Sequence, residues 1–226
     1  MNQDVWVVIP VFNEVRVIRR VVESLTRKFP NVVCVNDGSS DGTETEIKKT
    51  KARIVSHAIN LGQGAALQTG IEYALQDVRA KYFVTFDADG QHRPEDAVRM
   101  LNTLKRAKLD IALGSRFLGK AKDISHLKKV VLKLAIKFTN KTSGLSLTDA
   151  HNGLRVFTRD VAKNLNIQNP DFSHASEIIE IIAEKKFVYR EVPVTIVYNK
   201  YATTKGQSTF NAINMGLDIL FDRLIK

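Results

Sequence analysis

The chain carries a single cysteine, Cys34, among 226 residues, which excludes an internal disulfide framework. Set inside the apolar run Val32-Val33-Cys34-Val35, that thiol reads as an inert core residue and fits a reducing compartment. Long hydrophobic runs are also missing. No stretch approaches the roughly 18–20 apolar residues needed to cross a bilayer, and the amino terminus enters a strand-like segment without a signal-peptide pattern. Together these absences predict a soluble or peripheral cytoplasmic protein. No GxxxxGKS/T sequence occurs, and Gly62-Gln63-Gly64 is too short for a dinucleotide fingerprint, so a P-loop ATPase is not expected. The histidines at 57, 92, 126, 151 and 174 lack zinc-like spacing, and none is read as a ligand. Acid is scarce in one segment: residues 116–141 set Arg116, Lys120, Lys122 and five further lysines against Asp123 alone.

What is present is globular. Hydrophobic residues make up 44% and charged residues 26%, and 226 residues suffice for one large α/β domain or two small ones with a substantial core. The net charge of +10 calls for an anionic partner: nucleic acid, a phosphorylated substrate or an acidic membrane surface. Val5–Val11 is a nearly continuous apolar run, as in a strand covered on both faces. Val17, Val21, Val22 and Leu25 then recur at helical spacing. The alternation continues with strands at 32–35, 53–57, 81–86 and 110–114. Helices are expected from Gly62 to about Asp77 and over Pro94–Lys108. Short strand–helix connections imply a parallel sheet, whose ligands lie beyond the carboxyl ends of its strands.

The most polar residues fall at those strand ends: Asn13-Glu14, Asp37, Asn60, Asp87-Asp89 and Ser115-Arg116. Such a coincidence favours one shared site. Asp87 and Asp89, spaced i, i+2 after Tyr82–Phe86, offer hard oxygen ligands to Mg²⁺ or Mn²⁺, which share their coordination with waters and substrate phosphates. The same two residues alone also suit a turn and a helix cap.

A series of segments then resembles the family-2 inverting glycosyltransferases, and within them the dolichyl-phosphate mannose synthase-like branch. It comprises VIPVFNE (8–14), VNDGSSDGT (35–43), NLGQGAALQTG (60–70), FDADGQHRPED (86–96) and GSRF (114–117). DAHNGLRVF (149–157), SHASEI (173–178), EVPV (191–194) and KGQS (205–208) complete it. The resemblance implies a single GT-A domain over 1–226, with a mostly parallel central sheet between helices. A nucleotide-sugar half (1–115) would be followed by an acceptor half (116–226). It assigns Pro10, Asn13, Glu14, Asp37, Ser39, Gly64, Asp87 and Ala88 to the donor nucleotide, and Asp87, Asp89 and Gln91 to the metal. Ser115, Arg116, Asp149, Arg155 and Lys205 fall to the acceptor or its phosphate. Asp89 and Arg116 would serve catalysis directly, and Glu177 is the candidate base if the acceptor is a hydroxyl. The activity implied is metal-dependent transfer of a hexose from a UDP- or GDP-sugar, UDP being favoured, to a polyprenyl phosphate. A phosphate nucleophile is already an anion and needs no strong base.

From His126 to about residue 141, Leu127, Val130, Val131, Leu134 and Phe138 form one helical stripe and Lys129, Lys133, Lys137 and Lys141 another. A basic amphipathic helix of this kind suits an anionic membrane surface. It equally suits a helix packed on the sheet with a solvated lysine face. A strand is expected at 187–198, a loop at 199–207 and a last helix at about 208–225. Many relatives continue into transmembrane helices. This sequence stops at Lys226, so contact with the inner face of the cell membrane would be peripheral or through a small membrane protein. Two rival readings remain: transfer to a glycan hydroxyl in cell-surface polysaccharide synthesis, and a non-catalytic nucleotide- or nucleic-acid-binding protein. Nucleic acid is disfavoured because the lysines are not interleaved with exposed aromatics.

Overall fold

The computed structural model describes residues 2–122, 126–170 and 173–197. The expected loop at 199–207, Lys205 and the helix at about 208–225 lie outside them. Seven strands form one sheet in the order β3-β2-β1-β4-β6-β5-β7. In chain order they are β1 (Val5–Val11), β2 (Asn31–Asp37), β3 (Arg53–His57), β4 (Tyr82–Thr85), β5 (Ile111–Lys122), β6 (Arg155–Thr158) and β7 (Tyr189–Val197). The helices are α1 (Ile18–Thr26), α2 (Thr43–Lys48), α3 (Gln63–Leu75), α4 (Pro94–Ala107), α5 (His126–Ser143), α6 (Arg159–Asn164) and α7 (His174–Glu184).

All seven residues of β1 are buried, which explains its unbroken apolar run. Val5, Val7, Ile9 and Val11 face a layer built by α1 and α4, whereas Trp6 and Val8 face α3, α6 and α7. Two cores thus sandwich one sheet. In α1, Ile18, Val21, Val22 and Leu25 are the buried stripe, as their spacing requires. Pro94 opens α4 with Glu95 and Asp96 in its first turn, and Lys105 and Arg106 occupy its last, so its charges complement the helix dipole.

β6 is the one antiparallel strand of this sheet, pairing β4 (Thr85 with Arg155) and β5 (Leu113 with Arg155). Arg155 therefore opens a strand. Because the strand runs backwards, its first residue still lies at the carboxyl edge of its parallel neighbours. β5 is also longer than expected. Its parallel pairing with β7 is broken by a register shift between Ser115 and Lys120, which places Arg116 in an irregular stretch of the strand.

On α5 the inward face is Leu132, Ile136 and Thr139, while Val130 and Leu134 are exposed at 54% and 64%. The expected apolar stripe is thus not the core stripe. This helix carries apolar residues on most of its circumference, so periodicity alone did not choose between faces. No helix among the described residues is long and apolar enough to cross a membrane.

Candidate active site

Two loops expected to hold the donor nucleotide are stitched together where β1 and β2 end. Asn13, in the left-handed region at φ 54°, donates its N–H to Ser39 Oγ at 2.9 Å and accepts Ser40 N–H at 2.9 Å on its side-chain Oδ1. Thr43 Oγ1 likewise accepts Glu14 N–H at 2.7 Å. Pro10 is buried within β1, opposite Val35. Asp37, expected at the donor nucleotide, is 2% exposed, and its carboxylate is engaged by the protein. His57 Nδ1 lies 2.7 Å from Oδ1, which also accepts Leu61 N–H at 2.9 Å, and Oδ2 accepts Gly62 N–H at 2.8 Å. Asp37 thereby holds the loop that leads into α3.

Gly64, in the first turn of α3, allows a very close approach. Its N–H donates to Pro170 O at 2.7 Å, and a Cβ there would lie 2.0 Å from Asn169 O. The 168–170 loop is fixed in turn by Glu177, whose two oxygens accept Gln168 and Asn169 N–H at 2.8 and 2.9 Å. Glu177 is thus a loop clamp in this structure, with both oxygens engaged, instead of a base open to a substrate hydroxyl.

At the end of β4, Asp87 Oδ2 meets His92 Nε2 at 2.8 Å, and Oδ1 accepts Gln63 Nε2 at 3.4 Å. Burial works against charge on Asp87, but His92, Arg155 and His174 hold its carboxyl below the ordinary value. Asp89 moves the other way, pushed up to about 6 by burial and by the neighbouring Asp87. Gln91 pairs with Asp89 twice, N–H to Oδ1 at 2.9 Å and Nε2 to Oδ2 at 2.7 Å. Ala88, between the two carboxylates, is buried. Among the described residues no group of three or more His, Cys, Asp or Glu could hold a metal ion. The oxygen donors of Asp87, Asp89 and the Gln91 side chain suit a divalent cation completed by water and substrate phosphate.

On the other side of Asp87 stands the expected acceptor half. Arg116 N and Nε both donate to Asp149 Oδ2, at 2.9 and 2.6 Å, and its Nη2 donates to His151 O at 3.1 Å. Ser115 is fully buried with its Oγ 2.6 Å from Thr148 Oγ1. Arg155 is 2% exposed, and its Nη1 has no hydrogen-bond partner. Burial pushes its guanidinium down to about 10, against the pull of Asp87 and Asp149, so it stays charged at neutral pH. Neither ring nitrogen of His151 has a partner, and burial holds that imidazole down to about 4, hence neutral.

Sequence reasoning passed over His92, His151, Gln63 and Gly153. A Cβ on Gly153 would lie 2.3–2.6 Å from the carboxylate atoms of Asp87, so glycine is what lets the 149–154 loop press on the Asp pair. The adjacency of His92 to Gln91, and the place of Gly153 two residues before Arg155, were the available signals. At the far edge Val197 N–H donates to Gln91 O at 3.1 Å, so β7 ends against the Asp-x-Asp loop. Lys205 lies outside the described residues.

A mostly parallel sheet that gathers an Asp-x-Asp pair at its carboxyl edge is the GT-A architecture of glycosyltransferases. The sequence pattern of glycosyl transferase family 2 matches residues 6–165. The UDP-N-acetylglucosamine–dolichyl-phosphate N-acetylglucosaminyltransferase of Methanococcus voltae is 30% identical, over 89% of this chain and 89% of its own. The undecaprenyl-phosphate mannosyltransferase of Micrococcus luteus is 26% identical, over 94% of both chains. The glucosyl-3-phosphoglycerate synthase of Mycobacterium tuberculosis, solved with Mn²⁺, UDP and glucosyl-3-phosphoglycerate, superposes with a TM-score of 0.66. At 16% identity, over 94% of this chain and 78% of that one, the likeness shows the fold alone. The chain belongs to glycosyl transferase family 2 and is a glycosyltransferase.

Proposed function

We propose that this protein transfers a hexose, with inversion, from a nucleotide diphosphate sugar to a polyprenyl phosphate at the inner face of a membrane. One observation carries the acceptor half of this reading. A charged arginine, Arg155, is buried beside Asp87 with Nη1 unpartnered, next to a neutral His151 whose nitrogens are also unpartnered. A buried charge and buried donors without partners are costly, and a phosphate monoester supplies what they lack. Arg116, steered by Asp149, provides a second guanidinium on the same loop cluster.

Asp87, Asp89 and Gln91 would hold Mg²⁺ or Mn²⁺, which when bound supplies positive charge against a diphosphate leaving group. This chain's own residues do the remainder. Asn13, Ser39 and Glu14 frame the donor side. The guanidinium groups of Arg116 and Arg155 draw the acceptor phosphate toward Asp87 and orient one oxygen toward the anomeric carbon. That oxygen forms the new bond as the bond to the nucleotide diphosphate breaks on the opposite face, and no proton need be removed. Both relatives named above act, by their names, on polyprenyl-type phosphates, which supports the same acceptor class here. The two backbone N–H bonds that Glu177 accepts support the phosphate-acceptor reading over one in which Glu177, or another carboxylate, is the base for a hydroxyl.

The membrane would be met by α5, where Val130 and Leu134 stand exposed with Lys133 and Lys137. The deciding experiment incubates the protein with Mn²⁺, labelled UDP- and GDP-sugars and undecaprenyl phosphate. A labelled, organic-extractable, acid-labile product is expected. Transfer to sugar hydroxyls with no lipid product would reject the proposal.

A further inference from the structure

Arg116 is the acceptor-side arginine that the sheet leaves unsupported. It lies in the irregular stretch of β5, between Ser115 and Lys120, where the ladder to β7 breaks register. Asp149 takes over, accepting both the backbone N–H and Nε of Arg116 on one oxygen. Asp149 itself lies on a segment between α5 and β6 without regular structure, so something must fix it in turn. That group is Glu191 of β7. Its Oε1 accepts Asp149 N–H, Thr148 N–H and Thr148 Oγ1, each at 2.9 Å, and Oε2 approaches Thr148 N–H at 2.8 Å. Thr148 Oγ1 also meets Ser115 Oγ at 2.6 Å, immediately before Arg116. The circuit is closed: Glu191 is opposite Leu113 in the β5–β7 pairing, and through the 148–149 turn it reaches Ser115 and Arg116 on the same strand.

We propose that Glu191 is a positioning residue for the acceptor phosphate, acting through Thr148 and Asp149 on the direction of the Arg116 guanidinium. The chemistry is specific. A single carboxylate gathers two consecutive backbone N–H groups and a hydroxyl, which sets the turn that aims the Asp149 carboxylate. Asp149 then leaves Arg116 only one orientation that keeps both bonds. The donor side has its own ties, through Ser39, Thr43 and Asp37, and none of them passes through Glu191. Disturbing Glu191 therefore disturbs acceptor binding and spares the nucleotide. The inference rests on the reading of Arg116 as an acceptor-phosphate contact.

The test uses equilibrium binding, which needs no knowledge of the sugar. Farnesyl phosphate, a short polyprenyl phosphate, and UDP with Mn²⁺ are titrated calorimetrically into the intact protein and into Arg116→Ala, Glu191→Ala, Glu191→Gln and the Arg116→Ala/Glu191→Ala double variant. Arg116→Ala should weaken farnesyl phosphate about tenfold or more, as loss of a charge-assisted pair does. Glu191→Ala should weaken it roughly five- to tenfold while the UDP affinity stays within about twofold. The double variant should bind no worse than Arg116→Ala, because both changes remove one arrangement. Glu191→Gln, which can keep an oxygen on the three donors at Oε1, should return to within about threefold of the parent. If Glu191→Ala does not fold, Thr148→Val carries the test: it removes the shared hydroxyl alone and should shift farnesyl phosphate and not UDP. Equal weakening of both ligands, or an additive double variant, makes Glu191 a merely structural strand residue and overturns the proposal. Farnesyl phosphate that binds Arg116→Ala as well as the parent, or does not bind the parent, sinks the acceptor reading of Arg116 and this inference with it.

Discussion

At the residue scale, the site depends on two carboxylates kept different. Asp89 is pushed up to about 6 by burial and by Asp87, whereas Asp87 is held low by His92, Arg155 and His174. The sign for Asp89 follows directly. Its native pKa lies above the ordinary aspartate value of about 3.9, so its stabilising share is present below about pH 4 and lost as pH rises through about 6. Asp89→Asn removes that penalty. The metal-free variant should melt at or above the parent temperature at pH 7.5, yet lose the Mn²⁺-induced rise that the parent shows. In the parent that rise should shrink as pH falls below about 6, because the cation then competes with a proton. Thermal melts with and without Mn²⁺ from pH 5 to 8 check both statements, and an undiminished Mn²⁺ shift in Asp89→Asn would contradict them. Gly153 offers a second residue-scale prediction. A methyl at 2.3–2.6 Å from the Asp87 carboxylate must displace either the loop or the ligand. Gly153→Ala should therefore lower activity by two orders of magnitude or more, on the order of the penalty for an ångström of misplacement, with a Tm change of only a few degrees. Activity within a factor of three of the parent would show that the loop yields.

At the element scale, the loop before α7 and the first turn of α3 form one unit through Gly64, Pro170 and Glu177. Glu177→Ala frees two backbone N–H groups and is expected to destabilise the fold by about 1–3 kcal/mol, seen as a lower denaturation midpoint. Glu177→Gln, which keeps one acceptor oxygen, should cost less and should retain transfer to the lipid phosphate; abolition of transfer by this variant, with the fold intact, would restore the base role. The elements most plainly readable from sequence were those covered on both faces or cleanly amphipathic. β1 and β2 declared themselves by unbroken apolar runs, α1 by its apolar stripe, and α4 by a stripe with charges matching its dipole. β6 did not, because Arg155–Thr158 is four residues long and its direction is set by pairing with β4 and β5, which no local pattern encodes. The strand-end polar residues were legible as one site for a topological reason: parallel strands bring their ends to one edge, and β6, running backwards, adds Arg155 to it. What stayed hidden was the use of each side chain. Asp37 and Glu177 are acids in polar, glycine-rich settings, and only the fold shows that backbone N–H groups already occupy them. His92, beside the Asp-x-Asp motif, and His151 were not read as ligands, because their convergence on Asp87 and Arg155 is a tertiary fact.

At the scale of the whole molecule, the +10 charge and the site pull in different directions. The Asp87–Asp89 centre is acidic and half-buried between loops, so the excess of lysine serves something other than the reacting atoms. Part of it stands on α5, where Lys133, Lys137 and Lys141 are exposed with Val130 and Leu134 at the surface. A surface that mixes ammonium groups with large aliphatic side chains suits the proposed bilayer contact, in which lysine stems would lie along the apolar patch and their charges would reach anionic headgroups. Each lysine near such a surface is worth about 1 kcal/mol, so changing all three to glutamine should weaken binding to phosphatidylglycerol vesicles by on the order of a hundredfold. Leu134→Glu places a carboxylate in the same patch and should do so alone. Both effects should fade in about 0.5 M salt for the charge term, and neither variant should change turnover of farnesyl phosphate, which needs no membrane. Vesicle sedimentation run beside that assay separates docking from chemistry. Loss of both activities together would place α5 in the catalytic structure, whereas vesicle binding that survives the lysine changes would put the membrane contact on another face of the molecule.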